Sequence, residues 1–235
     1  MLTLNITAVI EGGVGKTKVT RDLCEAYRAK GVTFVGYDTD PPKLSRCAAL
    51  GVMPVKWYDD DKHELLTEVL HKTLAEIISA GCDTIVDVGS SGFRVLIDYF
   101  GTAGVIEALE ANGVGVTFHS VLVGPPKLDT TLSSCAGLMA AFPRCKHIVW
   151  LNPCPAYGGL DDLPELPAWE YLSERAAAII EMPKPPKFVV KEYAEMLAGE
   201  DTYDKYLEKN PVVAAMLAPA WKNLREQIVK AVGIG

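Results

Sequence analysis

The stretch Leu4-Asn5-Ile6-Thr7-Ala8-Val9-Ile10-Glu11-Gly12-Gly13-Val14-Gly15-Lys16-Thr17 decides the fold. An apolar run short enough to be one buried strand leads into three glycines within four residues, then Lys-Thr at the start of a helical pattern. That order of strand, glycine turn and helix is what a phosphate cradle requires. Glycines let main-chain N–H groups approach phosphate oxygens, and the helix start adds unpaired donors and a partial positive charge. Gly12, Gly13, Val14, Gly15 and the first helical residues Lys16, Thr17 and Lys18 are therefore the candidate polyphosphate contacts. Lys16 would reach the β- and γ-phosphates, and the Thr17 hydroxyl would coordinate magnesium. Ile10 stands five residues before Gly15, where the strict Walker pattern has glycine, so the loop is a variant.

Outward from this loop, strand and helix signals alternate. The patterns predict strands over 4–10, 32–37, 83–88, 114–123, 147–151 and 179–182. Helices are predicted over 16–30, where Val19, Leu23, Ala26 and Tyr27 share a face, and over 64–80, 93–100, 105–111, 128–142 and 169–178. Residues 43–61 and 153–168 read as irregular, and the tail from about 190 as helical with breaks near Gly199 and Pro211. Such alternation predicts an α/β fold, a single doubly wound and mostly parallel sheet with helices on both faces. Residues 1–190 form the expected nucleotide-binding domain, and 191–235 a helical extension packed on it.

Composition is that of a soluble globular chain, with 49% hydrophobic and 23% charged residues over 235 positions. A net charge of −7 argues against a generally basic nucleic-acid binder. The six cysteines are dispersed, with no Cys-x-x-Cys pair, which suits reduced thiols rather than a disulfide framework or zinc site. No signal-peptide pattern opens the chain, and no apolar run approaches the ~18 residues of a membrane span. The expectation is a cytoplasmic protein.

Carboxylates close two of the predicted strands. Asp38 and Asp40 follow the second, and Asp87 ends the third. Ligands of parallel α/β sheets lie beyond the carboxyl ends of the strands. Asp87 thus suits the magnesium shell, Asp40 the positioning of an attacking water, and Asp38 a supporting place near the metal.

Together these motifs resemble the ParA/MinD family of deviant P-loop ATPases, on Gly12-Gly13-Val14-Gly15-Lys16-Thr17, Asp38-Thr39-Asp40-Pro41 and Asp87-Val88-Gly89. Gly89-Ser90-Ser91-Gly92-Phe93 and Val149-Trp150-Leu151-Asn152-Pro153 further resemble the TraL-type proteins of plasmid conjugal transfer. The resemblance implies ATP with Mg2+ as ligands, Asn152 and Pro183 beside the base, homodimerisation around nucleotide, and a protein partner in DNA transfer or plasmid maintenance. It also exposes a departure. The family's signature lysine reaches a partner's phosphates, and its position here holds Glu11, whose carboxylate would repel them. Weak or partner-dependent hydrolysis is expected, with Glu11→Lys raising turnover.

Other readings carry less. Direct nucleic-acid binding by the tail is unsupported, since 191–235 hold six basic and seven acidic residues. Trp221, Leu224, Ile228 and Val232 share a helical face that suits packing on the sheet better than membrane association. His119, in an apolar strand, suits a satisfied core histidine. An ATP-dependent ligase or kinase resembling dethiobiotin synthetase, and a module that holds nucleotide without turnover, are the competing functions.

Overall fold

The computed structural model describes residues 1–154 and 156–235. In chain order the elements are β1 (Leu2–Thr7), α1 (Lys16–Ala29), β2 (Phe34–Asp38), β3 (Val52–Pro54), β4 (Tyr58–Asp59), β5 (Glu64–Leu65), α2 (Thr67–Ser79), β6 (Asp83–Asp87), α3 (Phe93–Thr102) and α4 (Val105–Ala111). There follow β7 (Val114–Leu122), α5 (Leu128–Ala141), β8 (Lys146–Leu151), α6 (Pro167–Arg175), β9 (Ala178–Glu181), α7 (Val190–Ala198), α8 (Tyr203–Lys209) and α9 (Pro211–Val232).

Seven strands form one sheet in the order β3-β2-β6-β1-β7-β8-β9, with every neighbouring pair parallel. Successive residues of a strand face opposite sides, and the core divides accordingly. Ile85 joins Leu23, Tyr27, Trp221 and Ile228 on one face. Val86 joins Leu70, Leu96 and Leu109 on the other. Both faces are covered, as a parallel sheet demands. Register then decides what meets at the carboxyl edge: Thr7 pairs with Asp87, and Asp38 pairs with Asp87. The loop after β1 and both acidic strand ends lie at one level.

Several elements differ from expectation. The first strand stops at Thr7, and Ala8–Ile10 already belong to the loop, although Ala8 N–H still bonds His119 O at 3.1 Å. Within the stretch read as irregular, Val52–Pro54 adds an edge strand and Tyr58–Asp59 pairs with Glu64–Leu65 as a small hairpin. That hairpin takes the residues assigned to the start of a helix, so α2 begins at Thr67. The helix expected over 169–178 instead runs Pro167–Arg175, proline serving at its first turn where no N–H is needed.

The tail is helical and breaks at Gly199 and before Pro211. Thr202 caps α8, its side chain accepting from Lys205 N–H. Leu224 and Ile228 are buried, and α9 packs on β9 and α1. Arg21 of α1 ties the same region down: its guanidinium donates to Leu197 O and Gly199 O at 2.8 Å and to Asp201 O at 2.5 Å. Tyr203 adds a hydroxyl bond to Asp22 and a backbone bond to Glu25, both at 2.9 Å.

His119 is held neutral in the core. Trp150 Nε1 donates to its Nδ1 at 3.0 Å, which places its own proton on Nε2, facing Asn5 Oδ1 at 3.0 Å. Burial, with Lys146 assisting, pushes its pKa down to about 3. All six cysteines are free. No helix of the described residues is long and apolar enough to cross a membrane.

Candidate functional site

Between β1 and α1 the chain makes two left-handed turns, at Gly13 (φ 74°) and Gly15 (φ 103°), which side chains rarely adopt. Three successive carbonyls of this loop are held from outside it. Lys127 Nζ donates to Gly12 O at 2.7 Å, Tyr157 Oη to Gly13 O at 3.2 Å, and Asn152 Nδ2 to Val14 O at 2.8 Å. In a trans peptide the N–H opposes the C=O of the same unit. The N–H groups of Gly13, Val14 and Gly15 therefore point away from those three holders. Among the described residues none of the backbone N–H groups from Gly12 to Thr17 donates a hydrogen bond. The loop is a run of oriented, unpaired donors leading into the positive end of α1, which is an anion cradle. Lys16 Nζ spans the loop to Glu11 O at 2.5 Å.

The acidic side is built by the ends of β2 and β6. Thr39 stitches them: its N–H and hydroxyl reach Asp87 O at 3.0 and 3.1 Å, and the hydroxyl accepts from Gly89 N–H at 3.1 Å. Gly89 permits the approach, since a Cβ there would lie 2.9 Å from Asp40 Cβ. Asp38 is fully buried, and its carboxylate accepts from Asp40 N–H at 3.1 Å and from Ser45 N–H and hydroxyl at 2.9 Å. It thus holds the turn that presents Asp40. Asp40 pairs with Lys43 at 2.5 Å.

Asp87 is buried and accepts from the Thr20 hydroxyl at 3.1 Å, while its Oδ2 is buried without a partner. Burial raises its pKa to about 7; Asp38 adds to this, and the Thr17 and Thr20 hydroxyls oppose it. Burial likewise lowers Lys16 to about 8, with Asp87 opposing. An orphaned carboxylate oxygen next to a threonine hydroxyl is the donor set a hard divalent cation accepts. No group of three or more His, Cys, Asp or Glu among the described residues could hold a metal alone. Phosphate and water would have to complete such a shell, the usual circumstance for magnesium.

Asn152 and Pro183 follow neighbouring strands, with Met182 N–H bonded to Leu151 O at 3.0 Å. Asn152 lies directly behind the loop, whereas Pro183 lines a small apolar recess with Asp22, Tyr193, Tyr203 and Trp221. Beside Thr17 opens a cavity of about 300 Å³ lined by Lys18, Arg21, Lys43, Arg46 and Gly199. Lys127, Tyr157, Thr39, Ser45 and Arg21 escaped the sequence reading, because each acts on residues distant in the chain or through its backbone neighbours. Lys127 could have been found: it follows the Pro125-Pro126 turn after β7, and β7 adjoins β1. It also alters the reading of Glu11, whose carboxylate lies 3.3 Å from Lys127 Nζ and is therefore paired.

A parallel sheet with β1 central, a glycine loop opening α1 and acidic ends on the adjoining strands define a P-loop fold of the ParA/MinD class. The MinD cell division protein of Aquifex aeolicus has this fold, with a TM-score of 0.56 over 100% of this chain and 98% of that one, at 16% identity. No family model matches the chain. Protein TraL of Escherichia coli is 30% identical over 205 residues, covering 84% of this chain and 83% of the relative. A second Escherichia coli Protein TraL is 27% identical over 206 residues, with the same coverage. The chain belongs to the TraL family.

Proposed function

We propose that the chain is a nucleotide-controlled switch that binds ATP with Mg2+ at the Gly12–Lys18 loop and serves plasmid conjugal transfer or plasmid maintenance. One observation carries the reading: the carbonyls of Gly12, Gly13 and Val14 are held from behind, while the N–H groups of the loop have no partner among the described residues. Free oriented amides favour a polyanion and need no reorganisation to receive it. Gly12, Gly13, Val14 and Gly15 would supply these donors, and Lys16 would leave Glu11 O for the β- and γ-phosphates. Thr17 and the orphaned Asp87 Oδ2 would hold magnesium, which supplies charge neutralisation there when bound. Asp38 would act indirectly by fixing the turn, and Asp40 would orient the attacking water. Lys18 lines the cavity beside Thr17, but its ammonium pairs with the buried Asp22 carboxylate at 2.7 Å, so it would contribute its main-chain N–H rather than its charge. Asn152 Oδ1 and Pro183 would meet the base.

The loops after Asp40 and Asp87 are stitched together through Thr39, so an event at one is felt by the other. Ordering them on ATP binding would present a surface to a second copy of the chain or to a partner protein of the transfer system. Hydrolysis would be slow or partner-dependent, with Glu11 at the position of the signature lysine. The site of action in this reading is the cytoplasm. Isothermal titration with ATP tests the reading: binding is expected with magnesium, and Thr17→Ala should reduce the magnesium dependence. Folded wild-type protein that takes up no ATP in either condition would overturn it.

A further inference from the structure

Lys127 sits at the N-cap of α5, behind the loop, and its ammonium donates to Gly12 O at 2.7 Å. The Gly12 carbonyl and the Gly13 N–H belong to one planar peptide unit and point opposite ways. A charged donor on that carbonyl fixes the plane of the unit and polarises it, which makes the Gly13 N–H a stronger donor on the far side. The Glu11 carboxylate lies 3.3 Å from the same ammonium and keeps it in this place. The stem of the lysine is fixed as well. Gly158 N–H bonds Pro125 O at 2.8 Å, and a Cβ on Gly124 would lie only 1.9 Å from Gly158 O, so the turn before α5 is pressed onto the 157–159 loop. That loop sends the Tyr157 hydroxyl to Gly13 O, the next carbonyl, with its ring 5.6 Å from Lys127 Nζ.

We propose, resting on the nucleotide reading above, that Glu11, Lys127 and Tyr157 form a brace that aims the N–H groups of Gly13 and Val14 at the phosphates, with Glu11 the anchor of Lys127. All three are positioning residues, which act through the backbone of the loop and touch no ligand. The role of Glu11 changes sign with this assignment. A lone carboxylate at position 11 would repel a polyanion, so removing its charge would tighten binding. A carboxylate neutralised by Lys127 repels little, and removing its charge frees the lysine and slackens the loop. The brace also serves any ligand of the loop alike, because it sets the amides and not the terminal phosphate.

Titration of the full chain with ATP and with ADP, both with magnesium, tests this beside amide proton–nitrogen spectra of the nucleotide-free protein. Lys127→Met is expected to weaken ATP and ADP alike by about three- to tenfold, the scale of one hydrogen bond, and to shift the Gly13 resonance before any nucleotide is added. Lys127→Arg should restore most of the affinity. Glu11→Gln should weaken both nucleotides, and Glu11→Lys should weaken them more, because two ammonium groups then repel each other behind the loop. No loss in Lys127→Met, a loss confined to ATP, or an unmoved Gly13 resonance would overturn the assignment while leaving the nucleotide reading intact. Should Lys127→Met fold poorly, the Glu11 variants decide: unchanged or tighter binding overturns it. Wild-type protein that binds neither nucleotide overturns both.

Discussion

Asn152 lies so close behind Gly15 that a Cβ built on that glycine would come within 2.7 Å of the Asn152 amide nitrogen. The same amide donates to Val14 O at 2.8 Å. Gly15 also adopts φ 103°, so the site combines a strained backbone with a blocked side-chain direction. Gly15→Ala is expected to lower stability by about 1–3 kcal/mol. It should weaken nucleotide binding further, because Asn152 must release Val14. Denaturant melts and titrations of the variant check this; wild-type values in both would contradict the geometry.

Asp87 and Lys16 set opposite pH limits on binding. The free protein holds a proton on Asp87 up to about 7, and Lys16 loses its proton above about 8. A magnesium–triphosphate pair needs the carboxylate ionised and the ammonium protonated. Affinity for ATP with magnesium should peak between those values. Below the window a proton is released on binding, and above it one is taken up. Titration calorimetry in buffers of different ionisation enthalpy reads the proton count at about pH 6 and pH 9. A flat profile without proton exchange would contradict the placement of both groups.

Stability carries a related signature. The folded pKa of Asp87, about 7, exceeds its ordinary value of 3.8, so the folded state binds the extra proton between them. That contribution is complete below the lower value and lost as pH rises through the upper one. Asp87→Asn cannot ionise and escapes the loss. Its stability relative to wild type should rise by about 2–3 kcal/mol between pH 5 and pH 7 and then level off. Burial also raises Glu25 to about 7, but Glu25 is common to both proteins and cancels in the difference. A difference independent of pH would show that Asp87 is ionised throughout.

Much of this site was legible because its first half is local. Leu4 to Thr17 carry strand, turn and helix signals in unbroken succession, and Asp87 closes an apolar run. The short strands Val52–Pro54 and Glu64–Leu65 gave no such signal, because two or three residues have no periodicity to read. They exist because β2 and the hairpin partner offer free hydrogen bonds. The holders of the loop were invisible for another reason. Lys127 is 115 residues from Gly12, and Arg21 is 176 from Leu197, so only the folded sheet brings them together.

Arg21 gives the tail its attachment. It is 4% exposed and satisfies one carbonyl at the end of α7 and two in the segment that joins α7 to α8. Arg21→Met should cost about 3–5 kcal/mol, because it leaves three carbonyls without the charged donor they share. Limited proteolysis should then cleave near 199–202 under conditions that spare the wild type. Unchanged melting and cleavage would mean that the apolar face of α9 alone anchors the tail.

The central claim is that main-chain amides of the loop receive the polyphosphate. Amide proton–nitrogen NMR of labelled protein addresses this most directly, since Gly12, Gly13 and Gly15 fall in the glycine region of the spectrum. Adding ATP with magnesium should shift these resonances and protect them from exchange, with Asn112, exposed between α4 and the amino end of β7, as an unmoved reference. If ATP shifts other regions while the three glycine amides stay in place, the nucleotide lies elsewhere and the account is wrong.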